Sequence, residues 1–492
     1  MTSTIKVNNI QNQCGANIIN ENSNTITIGA SGDTIALASG ASQTGFGREG
    51  SVDWQTSSIK TATFTATSGE GYFCNTSGGA FTVNLPAGSA GAIVAVADYT
   101  RSFATNGLTI SPNGSEKIGG IASNLILDVN GQAATFVYVD ATEGWINVQE
   151  TQTSQTGNPF IVATGGTITT CGNDKIHTFT GPGTFTVSQA STNCAAENIV
   201  SYLIVGGGGG GGAGCTQASS GAGAGGFREL KSPTTPYTAS PLDGYPSAPN
   251  RVTVTAQSYA IVVGGGGSGG QHGTPCAPGP GTQATQGVGS SFGGITGAGG
   301  AKGAHGGTCY GFTGGSGSGG NQGPFTGTGS YYNGPGCAGA GNTPPTTPSQ
   351  GNPGGTGYTI YNTPTGNSNM QAGGGGGATA AGGDATPGSL PANTNTGGAG
   401  ATTNITGSPV AYAGGGGGGT NRQGPTGPSN PTGGAAGAGG GGTGGQCGDG
   451  GGSAATAGGT NTGGGGGGTG NQPGASGGNG GSGIVVIRYK YK

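Results

Sequence analysis

The residues best suited to chemistry in this chain are aromatic rather than catalytic. Tyr310 with Phe312, Phe325, Tyr331 with Tyr332, Tyr358 with Tyr361, and Tyr412 all fall among Gly, Ser, Thr and Asn. Tyrosine in that company has the composition of an adaptable recognition surface: rigid rings for contact area and small polar neighbours for hydrogen bonding. Such rings can stack on sugars or dock on a protein loop. The alternative is that each packs against the outside of a glycine-rich scaffold.

Residues for covalent or acid–base catalysis are sparse. Glycoside hydrolysis needs two carboxyl groups about 5–9.5 Å apart, and the segment 264–483 offers Asp384 and Asp449 alone. The acids of residues 51–150 stand mostly near turns, without a paired signature. Walker, His-Glu-x-x-His and nucleophile-elbow patterns are missing, and Gly-x-Gly-x-x-Gly matches arise by chance in so glycine-rich a chain. A polysaccharide-degrading enzyme is therefore the second reading, and no cofactor is expected. His272 and His305 read as exposed loop residues rather than metal ligands. The nine cysteines lack Cys-x-x-Cys spacing, so most are expected as thiols, with Cys171 and Cys194 a pair that could oxidise outside a cell.

The elements that must position the tyrosines pose a physical problem. Glycine makes up 123 of 492 residues, and 85 of these lie between Gly264 and Gly483, beside only 16 large apolar residues and four charges (Lys302, Asp384, Arg422, Asp449). Ordering a residue costs on the order of 1–2 kcal/mol, and 16 buried side chains at roughly 1.5–3 kcal/mol each do not offset that. The segment is thus a flexible tether, or its backbone holds it together.

The ordered solution is a bundle of extended helices of the polyglycine II or polyproline II type, with three residues per turn. Side-chain-free backbones can approach closely enough to exchange hydrogen bonds between helices. Gly206–Gly212, Gly264–Gly267, Gly373–Gly377, Gly414–Gly419, Gly439–Gly442 and Gly463–Gly468 are then expected as buried helices. Gly297, Gly300, Gly303 and Gly306, like Gly474, Gly477, Gly480 and Gly483, would place one glycine face of an outer helix inward. Punctuation by Pro- and Asn-rich turns, near-absence of charge, and apolar strands at both ends favour order. A collagen triple helix is excluded because the Gly-X-Y period lasts only a few triplets. A purely structural or ice-binding bundle is a third reading. The loop Asn342–Gln350 is expected to be too mobile to place.

The remaining chain reads as mainly β with almost no α-helix. Residues 1–50 form an attachment and shaft segment, in which Thr25–Asp33 is echoed by Thr34–Ser42, setting Ile26 over Ile35 and Ile28 over Leu37. One such unit cannot bury its apolar face alone, so copies in other chains, a homotrimer, are expected; a lone hairpin on a monomer is the alternative. Residues 51–156 read as an all-β sandwich or prism, with strands at 61–66, 71–75, 81–85, 92–98, 108–111, 125–129, 134–139 and 144–148, and Phe64, Phe73, Phe81, Phe136, Tyr138 and Trp145 in its core. Residues 157–263 supply strands at 175–179, 183–188, 199–205, 251–255 and 259–263. These form one small sheet with the closing strand of 484–492, clamping the glycine-rich insert 264–483. A net charge of −3 gives no footprint for nucleic acid, and no apolar stretch approaches the roughly 20 residues of a membrane span. The start, Met1–Ile10, lacks an export pattern, so assembly in a cytoplasm is expected.

Two stretches resemble known proteins. Residues 1–150, through Ser3–Ile10, Asn12–Asn17 and Val137–Trp145, resemble the N-terminal parts of tail-fibre proteins of marine bacteriophages. Residues 160–492 are similar to the glycine-rich domain at the ends of many phage fibres, through Leu203–Val205 leading into Gly206, then Gly225–Glu229, Val262–Gly265 and Gly481–Tyr489. The resemblance implies a virion adhesin whose polyglycine II sandwich presents variable loops to a host receptor, an outer-membrane protein or polysaccharide. It implies attachment to other tail proteins through the N-terminus, and no catalytic residues. The related adhesins are separate caps, whereas here a fibre-like half shares the chain.

Overall fold

The computed structural model describes the chain except for residues 1–8, 12–16, 23–24, 29–51, 150–158, 215–216, 272–281, 306–309, 322–336, 363–366, 387–393, 424–431, 449–450 and 471–474. It is mainly β, about 30% strand and 2% helix, in two compact units, 1–158 and 159–492. The expected segments 264–483 and 484–492 fall in the second unit, with 157–263 from residue 159 on.

The first unit opens with an antiparallel meander of β1 (Asn9–Gln11), β2 (Asn17–Asn22) and β3 (Thr25–Ile28), with Ile28 opposite Ile19. The echo partners Ile35 and Leu37 lie outside the described residues. Then follow β4 (Asp53–Trp54), β5 (Phe64–Thr65), β6 (Glu70–Cys74), β7 (Phe81–Asn84), β8 (Ile93–Asp98), β9 (Leu108–Ser111), β10 (Leu125–Leu127), β11 (Ala133–Asp140) and β12 (Gly144–Asn147). From β4 to β9 successive strands alternate between two sheets, and each pairs in parallel with the strand two places on. The arrangement is a two-faced β-solenoid, finished by antiparallel β10 on one sheet and the β11–β12 hairpin on the other. Strand positions match the sequence reading closely. The sandwich or prism does not, because short strands with regular turn signals suit either connectivity.

The solenoid interior follows from period-two alternation. Phe64, Val83, Ile110 and Leu125 stand in register across β5, β7, β9 and β10 and point inward. Phe81, Phe136 and Trp145 are buried there, and the Trp145 indole N–H donates to Glu116 at 3.0 Å. Phe73 instead faces outward between Trp54 and Tyr99, with ring centroids 4.9 and 6.4 Å away. Cys74 is fully buried among these apolar side chains, which push its thiol pKa up to about 12.

In the second unit, β13 (Val162–Thr164), β14 (Thr167–Cys171), β15 (Asp174–Phe179), β16 (Gly183–Gln189), β17 (Ser201–Val205), β18 (Phe227–Leu230) and β19 (Ser258–Ile261) precede the insert. Inside the insert lie the β20 (Ser290–Phe292) and β21 (Ile295–Gly297) hairpin, β22 (Tyr358–Asn362), β23 (Asn367–Gln371), the β24 (Ala401–Thr403) and β25 (Val410–Tyr412) hairpin, β26 (Thr420–Gln423), β27 (Gln446–Gly448) and β28 (Gly451–Ser453). The closing strand is β29 (Ile484–Lys490). The single anchoring sheet expected from the sequence is in fact two: β13-β16-β19, and β14-β15-β29-β17-β18. Phe185, Val187 and Ile261 of the first and Tyr202, Ile204, Val485 and Ile487 of the second share one core. The expected strand 251–255 makes a single bridge, Ile199 to Thr253; β13, β14 and β18 escaped the sequence reading. Both ends of the insert are clamped, because β29 sits centrally, paired with β15 and β17.

The glycine runs leave this anchor as extended backbone, and their hydrogen bonds repeat every third residue. Gly207 and Gly210 donate to Val288 and Thr285 (2.8 and 3.0 Å), Gly208 and Gly211 to Gly481 and Gly478 (2.9 and 2.8 Å), and Gly209 and Gly212 to Gly223 and Ser220 (3.0 and 3.1 Å). Their carbonyls keep the same period: Gly207 and Gly210 accept from Gly300 and Gly303, Gly208 and Gly211 from Gly267 and Gly270, and Gly209 and Gly212 from Gly466 and Thr469. One run thus bonds to six neighbouring segments, three by its N–H groups and three by its carbonyls. Gly414–Gly419 repeats the donor pattern toward 439/442, 398/395 and 222/219. These bonds answer the entropy deficit, since each contributes a net ~0.5–1.5 kcal/mol and together they pair every N–H and carbonyl of Gly207–Gly212.

Gly206–Gly212, Gly373–Gly377, Gly414–Gly419 and Gly463–Gly468 are buried as expected. Gly264–Gly267 and Gly439–Gly442 are buried only in part: Gly264, Gly267 and Gly442 are buried, Gly265 and Gly266 exposed and Gly439, Gly440 and Gly441 half-buried, and Gly439 and Gly440 turn the chain at positive φ (99° and 90°). Gly297, Gly300, Gly303, Gly477 and Gly483 are buried and Gly480 half-buried, while Gly306 and Gly474 lie outside the described residues. Asn342–Gln350, expected to be too mobile to place, is held instead. The Asn342 side-chain oxygen accepts from the Thr346 and Gln350 amides (2.9 and 3.2 Å), and the Gln350 carbonyl accepts from Phe227 N–H of β18 (2.8 Å).

The anchor carries an acid-sensitive group. His177 on β15 is fully buried, with Nδ1 2.7 Å from the Gly165 carbonyl and Nε2 3.0 Å from the Tyr489 hydroxyl. The carbonyl only accepts, so Nδ1 carries the proton and Nε2 accepts from Tyr489. Burial lowers the pKa of His177, opposed by the bond to Gly165. A histidine depressed below its unfolded value of about 6.5 contributes stability that is complete above that pH and is lost as pH falls through it. The melting temperature is expected to drop between about pH 7 and pH 5. His177→Asn, whose amide nitrogen can take the Nδ1 position and donate to Gly165 but does not titrate, should flatten the profile in that window; an unchanged profile would refute the assignment.

Candidate recognition surface at the loop end

The glycine runs define two ends. Gly206 continues β17 of the anchor, while Gly212, one run later, lies level with Thr469, Ser219 and Gly419: Thr469 N–H donates to Gly212, Ser219 N–H to Thr469, and Gly419 N–H to Ser219 (3.1, 2.9 and 2.9 Å). At that level the 414–419 run passes into β26, which joins a five-stranded sheet of order β22-β23-β26-β27-β28. The sequence gives little sign of this sheet, because its strands are mostly polar in composition (Thr420–Gln423, Asn367–Gln371) and lack apolar alternation; Met370 of β23 is buried with Ala218 and Ala372. Other described residues lie at the same end: the Gln271 amide bonds the Thr282 carbonyl (2.9 Å), and the Asn321 side chain bonds the Ala304 carbonyl (3.1 Å).

Of the eight aromatic candidates, the structure brings Tyr310 and Phe312 together. They line a cleft of about 220 Å³ with Lys302, Gln283, His305 and backbone of the glycine segments. Tyr310 is 68% exposed and Phe312 half-buried. The Lys302 ammonium lies 4.7 Å from the Phe312 ring centroid and donates to Gln283 Oε1 at 3.2 Å. His305 is half-buried at this cleft rather than fully exposed. Tyr358 is half-buried at the start of β22. Tyr361 belongs to the same strand, and its side chain, like Phe325, Tyr331, Tyr332 and His272, falls outside the described residues.

Tyr412 is misplaced by the sequence reading. It is 4% exposed and packs with Ile405, Val486 and Ile176 against the anchor, at the opposite end of the 414–419 run from β26. A tyrosine directly preceding a buried glycine run sits where that run meets the sheet, which is core. Lys302 and Gln283 are the residues that loop-scanning for aromatics missed; the one available signal was that Lys302 is among just four charges in 220 residues.

Other titratable groups serve the anchor. Arg488 and Asp174 form a buried ion pair (2.8 Å), and Lys490 pairs with Glu197 (3.0 Å). Glu229 is buried and accepts from the Ser240 amide (2.9 Å) and the Thr403 hydroxyl; desolvation raises its pKa against those bonds. Cys171 and Cys194 are both free thiols. Among the described residues no three His, Cys, Asp or Glu side chains cluster as a metal site, and no helix is long and apolar enough to cross a membrane. No protein-family model matches the chain, and no curated protein matches it.

Proposed function

We propose that this chain is a bacteriophage tail-fibre adhesin, in which the glycine-rich array is a polyglycine II bundle that presents its loop end to a receptor on the host cell surface. The observation that carries the reading is the division of labour along the runs. Six-neighbour backbone bonding makes a stiff interior from residues without side chains. The exposed aromatic Tyr310, the cleft and the polar five-stranded sheet gather at the end away from the anchor. Recognition carried on turns held by a rigid scaffold is the usual economy of binding proteins. In this reading the first unit, with its N-terminal segment 1–50, attaches to other tail proteins as a homotrimer within the virion, and the chain is not an enzyme.

The test is adsorption of virus to host cells in the presence of the purified chain. A folded chain that blocks adsorption in proportion to its occupancy of the cell surface supports the adhesin. A folded chain that neither binds cells nor competes would make the array a structural element of the virion instead.

A further inference from the structure

We propose that the cleft beside Lys302 binds a single sugar ring bearing a negative charge, so that the host ligand is an acidic surface polysaccharide. This rests on the adhesin reading and goes further by naming the ligand's chemistry. Three features of the cleft converge on it.

The first is charge. Lys302 stands in a segment with three other ionisable charges; of these, Asp384 accepts from the Thr356 amide and hydroxyl (2.6 and 2.9 Å). Among the described residues no carboxylate pairs with Lys302, whose ammonium has three donors and gives one to neutral Gln283. Its stem is also committed: the ammonium is held over Phe312 at 4.7 Å. Among the described residues the cation is therefore positioned yet uncompensated, with donors left for an anion.

The second feature is the pair of rings. Phe312 forms part of the wall and Tyr310 stands 68% exposed beside it, the most exposed large aromatic among the described residues. An exposed phenol ring offers a flat apolar face with a polar tip, which suits the C–H face of a pyranose and its hydroxyls. The third is size. The cleft, about 220 Å³, is below the roughly 300 Å³ at which pockets for drug-sized ligands begin, so it takes one ring. Its floor is backbone of Gly212, Gly270 and Gly303, where peptide groups rather than side chains meet the ligand. An acidic side chain of a receptor protein could meet Lys302 but would leave the flanking rings without a partner, so the sugar is favoured.

The test uses the full-length chain and three disaccharides in ligand-observed NMR titrations: cellobiose, its uronic acid counterpart, and a phosphorylated counterpart. At least tenfold tighter binding of an acidic sugar than of cellobiose is expected. Lys302→Met should erase that preference, Tyr310→Ala should weaken all binding, and Tyr310→Trp should retain it, each with an unchanged melting temperature. The two acidic sugars separate a carboxylate ligand from a phosphate. Equal binding of all three, no binding of either acidic sugar, or an intact preference in Lys302→Met would overturn the proposal. Run beside the adsorption assay, the variants keep the two readings apart. If wild type blocks adsorption and Lys302→Met and Tyr310→Ala block equally well, the cleft assignment fails and the adhesin stands. If wild type itself does not block, the adhesin fails.

Discussion

Gly210→Ala is expected to destabilise the second unit by about 3 kcal/mol or more, whereas Gly265→Ala changes stability by less than about 0.5 kcal/mol. The two substitutions add the same methyl group to glycines of neighbouring segments. At Gly210 a Cβ would lie 2.0 Å from the Ser268 carbonyl oxygen and 2.3 Å from its carbon, and these are backbone atoms that cannot rotate away. The array must open, which stretches the bonds from Gly210 to Thr285 (3.0 Å) and from Gly303 to Gly210 (2.8 Å). At Gly265 nothing lies within 4 Å of the added atom and φ is not positive, so the reduced freedom of the unfolded chain offsets any cost. Thermal melts of both variants decide the matter. If Gly210→Ala melts with wild type, the glycine runs are not held by close backbone contact.

Arg488→Leu should cost about 3–5 kcal/mol, the usual consequence of stranding one member of a buried ion pair. Arg488 and Asp174 are 2% and 1% exposed and meet at 2.8 Å across the β15–β29 register. The guanidinium also donates to the Ile405 carbonyl (3.3 Å) and lies 5.1 Å from the centroid of Tyr237. It therefore fastens the closing strand both to the anchor and to the insert, and its loss should loosen both. Adding Asp174→Asn to Arg488→Leu removes the uncompensated charge and should recover much of the loss in a double-mutant cycle. Additive effects in that cycle would show that the pair contributes packing alone.

Strand positions in the first unit were legible because Thr/Val/Ile alternation and Gly-Gly, Asn-Gly and Pro-Ala-Gly turns are local signals. The parallel pairing of β6 with β8 and β7 with β9 was not, since a period of two says which side chains face inward but not which strand lies alongside. The anchor shows the same split. The apolar runs at 201–205 and 484–490 announced themselves, while β14 (Thr167–Cys171), mostly exposed, and β18 (Phe227–Leu230), with a buried Arg228 and Glu229, did not. The charged side chains of β18 are satisfied by partners distant in the chain, such as Thr403 for Glu229.

For the glycine region, composition alone determined that any ordered state must be built from backbone hydrogen bonds, because 16 large apolar residues in 220 leave no other source. Which glycines are interior was decided by the tertiary structure. Gly414–Gly419 and Gly439–Gly442 look alike in sequence, yet one is buried throughout and the other, buried only in part, turns at Gly439 and Gly440. Glycine carries no side chain to record its surroundings, so its burial depends on which segments surround it. The aromatic candidates obey the same rule: Tyr310 and Tyr412 are equally plausible as loop tyrosines in the sequence, and only the direction of the adjoining segment sends one to solvent and the other into the anchor.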